Sequence, residues 1–145
     1  MKGIGKNEPC WCKSGKPYCE CHMEFDTRLE NYKRKFHKIP PRNIIKNEEQ
    51  LEGMRKSSKI NIAVLDYVAE HIRAGMTTQD IDDLVYEKTT QMGGIPATLN
   101  YEGYPKSVCT SINEQVCHGI PSKNIQLIDG DIINVDVSTI LDGYY

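Results

Sequence analysis

From Asn47 onward the positions Leu51, Met54, Ser58, Ile62, Leu65, Val68 and Ile72 recur every three or four residues. That period predicts an amphipathic helix. Asn47 with Gln50 three residues on reads as its capping pair, and Gly75 closes it. Thr77 or Thr78 caps a second helix, with Ile81, Leu84, Val85 and Met92 on its apolar face and Gly93-Gly94 beyond. After residue 95 the period shortens. Residues 107–112 read as a strand, a loop follows through Asn113 and Gly119-Ile120-Pro121, and Asp129-Gly130-Asp131 turns the chain into a strand over 132–141. There Ile133, Val135 and Val137 alternate with Asn134, Asp136 and Ser138, the two-residue period of a strand buried on one face. Asp142-Gly143 is a tight-hairpin pair, and Tyr144-Tyr145 alone follow it. Two residues cannot pair the whole preceding strand, so the chain reads as a fragment cut in mid-element.

The first 24 residues show neither period. They carry Gly3, Gly5, Pro9, Gly15 and Pro17 and almost nothing aliphatic to bury, so a metal is the expected source of order. Residues 25–46 are charged, meet Pro40-Pro41, and read as a basic linker with one helical turn. The expected organisation is therefore a metal module over 1–24, a linker over 25–46 and an α/β domain from 47 to 145.

Charge changes this picture more than overall composition does. The net charge of −2 divides into 14 Lys and Arg against 8 Asp and Glu in residues 1–60, and 4 against 12 in residues 61–145. A basic segment beside an acidic domain is either a footprint for nucleic acid or another polyanion, or a solvated linker, and charge alone leaves both open. The longest aliphatic run, residues 62–65, is far short of the roughly 20 residues of a membrane span. The N-terminus has no apolar core or small-residue cleavage site, so a cytoplasmic location is expected.

Four of the six cysteines fall within twelve residues. In a reducing compartment such a cluster points to metal rather than disulfides. Cys10, Cys12, Cys21 and His22 supply three thiolates and an imidazole, a set that closes a tetrahedral zinc site, and residues 13–16 supply the turn between the two pairs. Cys19 is a fifth candidate that could displace Cys21 or His22. The stretch from Pro9-Cys10-Trp11-Cys12 to Cys21-His22 resembles the zinc motif at the C-terminus of the SecA translocation motor.

Further along, Asp136 lies in the middle of an apolar strand, where a carboxylate is costly unless paired or bound to metal. Its alternation with Asn134 and Ser138 fits a solvated outer face equally well. His118, in Val-Cys-His-Gly-Ile-Pro, carries little signal alone.

Residues 101–121, Tyr-Glu-Gly-Tyr-Pro-Lys-Ser-Val-Cys-Thr-Ser-Ile-Asn-Glu-Gln-Val-Cys-His-Gly-Ile-Pro, followed by Asp129-Gly130-Asp131-Ile132-Ile133-Asn134-Val135-Asp136-Val137, resemble the type I methionine aminopeptidases. The resemblance runs from about residue 48. It implies the first half of a pita-bread fold, an α/β architecture, in an enzyme that removes the initiator methionine from nascent chains. It also implies two divalent metal ions (Co, Mn, Fe or Zn) held by two aspartates, a histidine and two glutamates. Asp136 matches the first aspartate. His118 matches the histidine that hydrogen-bonds the substrate amide without ligating metal. Tyr101, Tyr104 and Cys109 match walls of the methionine pocket, Thr98 occupies a pocket position that is often cysteine, and Asn113 matches a residue near a monovalent cation. The second aspartate would fall two positions past Tyr145, so the 145 residues alone are expected to be inactive. The implied partners are nascent N-termini and, through the zinc motif and basic linker, the ribosome, with the enzyme a monomer. Two alternatives stand beside this: a non-catalytic zinc-module interaction protein on a degenerate domain, and a prolidase-like or creatinase-like hydrolase. Cys117-His118-Gly119-Ile120-Pro121 disfavours the latter, being typical of the methionine-specific branch.

Overall fold

The computed structural model describes residues 3–145, which form two compact units dividing between Leu51 and Glu52. Met1 and Lys2 of the expected metal module lie outside the described residues.

In the first unit a bridge between Pro9 and Pro17 folds the chain back on itself. A 3-10 turn, Tyr18–Glu20, leads into helix α1, Met23–Arg34. Where the sequence predicts a linker with one turn, the chain makes three turns of helix. Apolar periodicity misses α1 because its one buried residue is Asp26. Glu24 and Asp26 in the first turn, with Lys33 and Arg34 in the last, suit the charges of the helix ends.

Helix α2 spans Glu48–His71. Its start carries the expected reciprocal cap, with the Asn47 amide on Gln50 Oε1 at 3.0 Å and the Gln50 amide on Asn47 Oδ1 at 2.9 Å. The buried face differs from the expected stripe: Ser57, Ile60, Val64 and Val68 are inside, while Ile62 is 58% and Leu65 38% exposed. The reason is polar. Ser57 Oγ donates to the Thr139 carbonyl at 2.8 Å and Asn61 accepts from Thr139 Oγ1 at 3.0 Å, so hydrophilic residues face the sheet.

Helix α3, Thr78–Gln91, begins with a capping box from Thr77 and Asp80. Ile81 and Val85 are fully buried, Leu84 packs on the core, and Met92 has left the helix as its 39% exposed C-cap. The core is Ile60, Val64, Val68, Ile81, Val85, Val108, Leu127 and Val137.

Four short strands complete the unit: β1, Ile95–Pro96; β2, Cys109–Ile112; β3, Ile133–Asp136; and β4, Thr139–Ile140. β1 pairs antiparallel with β4, and β2 antiparallel with β3. The strand predicted over 132–141 is thus two strands that change partner between Asp136 and Thr139. The Asp142-Gly143 hairpin forms as expected, with φ of 50° and 80°, and Leu141 and Tyr144 exchange backbone hydrogen bonds at 2.9 Å. Gly53 is required in α2, because a Cβ there would enter the Tyr144 ring. Among the described residues no helix is long and apolar enough to cross a membrane.

Candidate functional site

Two groups of chemically capable side chains are found, one in each unit. The first is built by the turn between Pro9 and Pro17. Cys10 N–H donates to the Lys16 carbonyl at 3.0 Å and Lys13 N–H to the Cys10 carbonyl at 3.0 Å. Lys13 and Gly15 both take positive φ, which sharpens the reversal. The return leg delivers Cys21 and then His22, the N-cap of α1. Cys10 Sγ lies 3.3 Å and Cys21 Sγ 3.1 Å from His22 Nδ1, and Cys12 Sγ lies 3.6 Å from Cys21 Sγ.

All four ligand atoms fall within 4.8 Å of one another. A tetrahedral ion with bonds of about 2.3 Å to sulfur holds its ligand atoms roughly 3.5–3.8 Å apart, so the cluster has the size of a metal site. Cys19 is turned away, its thiol 3.9 Å from Asn7 Oδ1. The electrostatics are uneven. Hydrogen bonding from Ser14 draws the Cys12 thiol down to about 6, whereas burial pushes Cys10 up.

A buried carboxylate that sequence reasoning missed braces this cluster. Asp26 Oδ2 accepts from Trp11 Nε1 at 3.0 Å, the Tyr18 hydroxyl at 2.8 Å and Arg42 Nη2 at 2.6 Å. Trp11, between two candidate ligands, also lies 4.4 Å from the His22 ring and carries the Arg42 guanidinium 5.3 Å over its own. One acid in a strongly charged stretch gives no sequence signal. Only the three donors converging on it mark it out.

The second group is organised by the β2–β3 ladder, which places Cys109 opposite Asp136. Paired residues of an antiparallel ladder share a face, so the Cys109 thiol and the Asp136 carboxylate are cross-strand neighbours. Asp136 is exposed and Cys109 buried. The solvated-face reading of Asp136 therefore describes this strand, and the cost of burial does not single the residue out.

Tyr104 leans on the same place. Its hydroxyl lies 3.1 Å from the carbonyls of both Val108 and Gly119. Burial first, then hydrogen bonding to Cys109 and the fields of Cys109, Asp82 and Asp136, raise its pKa. The segment carrying His118 is stitched to β2: Thr110 N–H donates to the Gly119 carbonyl at 2.8 Å and Gly119 N–H to Ser111 Oγ at 3.2 Å. A Cβ at Gly119 would run into the Thr110 carbonyl oxygen. His118 itself is exposed, with φ of 54°.

Of the other predicted residues, Tyr101 is 63% exposed on the 3-10 turn Tyr101–Gly103, and the Thr98 hydroxyl is buried without a partner. Asn113 spends its side chain closing the end of the ladder, donating to Asp131 Oδ1 at 2.8 Å and accepting from Ile132 N–H at 3.1 Å. The structure thus brings Tyr104, Cys109 and Asp136 together, sets His118 along β2, and leaves Tyr101 at the surface.

Among the described residues, the N-terminal cluster is the one group of His, Cys, Asp and Glu side chains close enough to hold a metal ion. Asp136 stands without further ligands near it. These residues alone do not complete a dinuclear centre.

The second unit thus carries a carboxylate on its β2–β3 ladder and a histidine on the segment bonded to β2, and a soft-ligand cluster precedes both in the sequence. The chain belongs to metallopeptidase family M24, whose model matches residues 52–145, and a SEC-C motif matches residues 7–24. Within that family it is similar to proteins named methionine aminopeptidase. It is 42% identical to the one from Chlamydia trachomatis over 97% of this chain and 49% of that protein. It is 39% identical to methionine aminopeptidase 1 of Saccharomyces cerevisiae over 95% of this chain and 32% of that protein. The crystal structure of methionine aminopeptidase from Rickettsia prowazekii matches with a TM-score of 0.66 and 45% identity, covering 68% of this chain and 40% of that one. The expected α/β architecture, part of the pita-bread fold, agrees with these neighbours. The chain spans about half the length of the Chlamydia relatives it matches, or less of the others.

Proposed function

We propose that the chain forms the substrate-pocket portion of a metal-dependent methionine aminopeptidase, acting in the cytoplasm on the N-termini of nascent polypeptides as a monomer. The observation that carries this reading is the register pair Cys109–Asp136, with Tyr104 packed at Cys109, in a chain 42% identical to a methionine aminopeptidase. A thiol and aromatic rings suit a thioether, which makes favourable contacts with polarizable and aromatic neighbours. Thr98, and Tyr101 from its exposed position on the 3-10 turn, would join that pocket in a complete enzyme. Asp136 is the carboxylate this chain would offer to a pair of divalent ions (Co, Mn, Fe or Zn), and Asn113 marks the neighbourhood of a monovalent cation. Such metals supply an activated water and polarise the scissile carbonyl. His118, exposed and next to the β2-bonded Gly119, is the group that would hydrogen-bond the substrate amide.

At the N-terminus, Cys10, Cys12, Cys21 and His22 hold one structural zinc. The zinc module and the basic segment behind it dock the enzyme on the ribosome.

The test is to express the full reading frame that encodes this chain, load it with Mn or Co, and measure methionine released from Met-Ala-Ser. Release that is abolished by Asp136→Asn, and slowed by His118→Ala with little change in KM, supports the reading. Cleavage of Xaa-Pro dipeptides in its place would favour a prolidase-like enzyme. No hydrolysis, with metal held at the N-terminal cluster alone, would favour a zinc-module interaction protein.

A further inference from the structure

We propose that the C-terminal end of α1 and the residues just beyond it bind single-stranded nucleic acid, with Phe36 as a stacking platform. This deepens the docking part of the reading above by giving it a chemistry.

The argument begins with the helix cap. Phe36 N–H donates to the Lys33 carbonyl at 2.9 Å, and His37 N–H reaches back to the Tyr32 carbonyl at 3.2 Å. The second bond, across a residue at φ 64°, is the pattern that closes a helix through a left-handed position. That position normally takes glycine, because a side chain is disfavoured there. Here it holds a phenylalanine. Its ring is also 98% exposed, so it gains nothing from burial. Tyr32 and His37 meet edge to face at 5.6 Å and complete the cap without any help from Phe36. Stability explains neither the residue type nor its orientation.

The second observation is charge. Residues 28–46 hold seven Lys and Arg against one Glu. Among the described residues Arg42 is bound to Asp26, while Lys33, Arg34, Lys35 and Lys38 pair with no carboxylate. Basic residues in a last helical turn suit its negative end, which accounts for Lys33 and Arg34. The same end accounts for Lys35, the C-cap, but not for Lys38, two residues past Phe36 in the sequence. Lys33, Arg34, His37 and Lys38 also line an open cleft of about 740 Å³ on this unit, with Asp26 and Glu30 in the same lining and Phe36 outside it.

An exposed flat ring in a stretch of sequence rich in unpaired cations matches one ligand chemistry. The phosphates of a nucleic acid meet the cations and an unstacked base covers the ring. A duplex keeps its bases stacked on one another and could use the cations alone. An acidic peptide would likewise leave the ring idle.

The test is fluorescence anisotropy of a short labelled single-stranded RNA titrated with the zinc-loaded full protein at several salt concentrations. Log affinity should fall with log salt at about −0.7 per phosphate contacted. Phe36→Gly is the decisive variant, since it removes the ring and at the same time relieves the left-handed backbone, so loss of fold is no explanation for its effect. It should weaken single-strand binding by roughly tenfold with the salt slope unchanged. Lys35→Gln with Lys38→Gln should reduce the slope.

Equal affinity for a duplex of the same length, equal competition by polyglutamate, or full binding by Phe36→Gly would each overturn the proposal. Ribosome co-sedimentation separates it from the parent reading: salt-sensitive docking that survives Phe36→Gly would leave docking standing and end this inference.

Discussion

The backbone amide of Ser107 donates to the carboxylate of Asp82 at 2.7 Å, joining helix α3 to the entrance of strand β2. Asp82 and Ser107 are both buried, and the other Asp82 oxygen receives Gln79 Nε2 at 3.1 Å and lies 3.7 Å from Lys106 Nζ. Lys106 in turn binds Gln79 Oε1. This junction fixes Val108 and Cys109, and through the Val108 carbonyl it fixes the Tyr104 hydroxyl.

Replacing Asp82 by Asn keeps the shape of that junction, removes its charge and leaves Lys106 facing a neutral amide. Loss of a charge-assisted hydrogen bond to a buried amide should lower stability by about 1–3 kcal/mol. Urea unfolding of Asp82→Asn measures it. Lys106→Met should have a smaller effect, because its side chain is a quarter exposed.

Gly119 makes a sharper steric prediction. It lies against Thr110, and an added methyl must push either the strand or the segment carrying His118 out of place. Gly119→Ala should cost about 1–3 kcal/mol, as overpacking of an interior does. Thermal unfolding reads the stability, and methionine release by the full protein reads the displacement of His118.

What the sequence made legible here divides along physical lines. The Asn47–Gln50 cap, a cap at Thr77 or Thr78, the Asp142-Gly143 turn and the ligand set of the N-terminal cluster depend on residues within about ten positions of each other, and all are visible as local patterns, though Asp80 as the partner of Thr77 is not. The inward face of α2 is not local, since Ser57 and Asn61 are chosen by Thr139 some eighty positions away. Helix α1 was hidden for a related reason: Asp26 orders it through Trp11, Tyr18 and Arg42 rather than through an apolar stripe. At the ladder, the resemblance located Cys109 and Asp136, but their pairing rests on a register set by twenty residues of intervening loop.

Acid stability follows from two aspartates, Asp80 exposed and Asp131 half-buried. Asp80 is held below its ordinary value of about 3.8, chiefly by the Thr77 amide and hydroxyl, and Asp131 by the Ile128 amide and Asn113. A carboxyl with a depressed pKa in the folded chain takes its proton more readily when unfolded. Its contribution is therefore present above about pH 4 and is lost as the pH falls through the folded value. Thermal melts between pH 6 and pH 2.5 should decline more gently over that acid range in Asp80→Asn and Asp131→Asn than in the parent. Identical acid limbs would show that these bonds persist in the unfolded chain.

The metal cluster yields the last prediction through the cysteine it leaves out. Cys10, Cys12, Cys21 and His22 converge within 4.8 Å, whereas the Cys19 thiol points to Asn7. If zinc joins those four, a closed tetrahedral set has no use for a fifth ligand, and the metal content should depend on four residues alone. Elemental analysis of the purified protein should give one zinc per chain in Cys19→Ser, as in the parent. Cys21→Ser and His22→Ala should lose most of it to a chelator. Because three thiolates and an imidazole release protons on binding metal, retention should also weaken as the pH falls toward 5. Zinc lost in Cys19→Ser but kept in Cys21→Ser would reverse the ligand assignment and require the turn at residues 18–21 to refold around the ion.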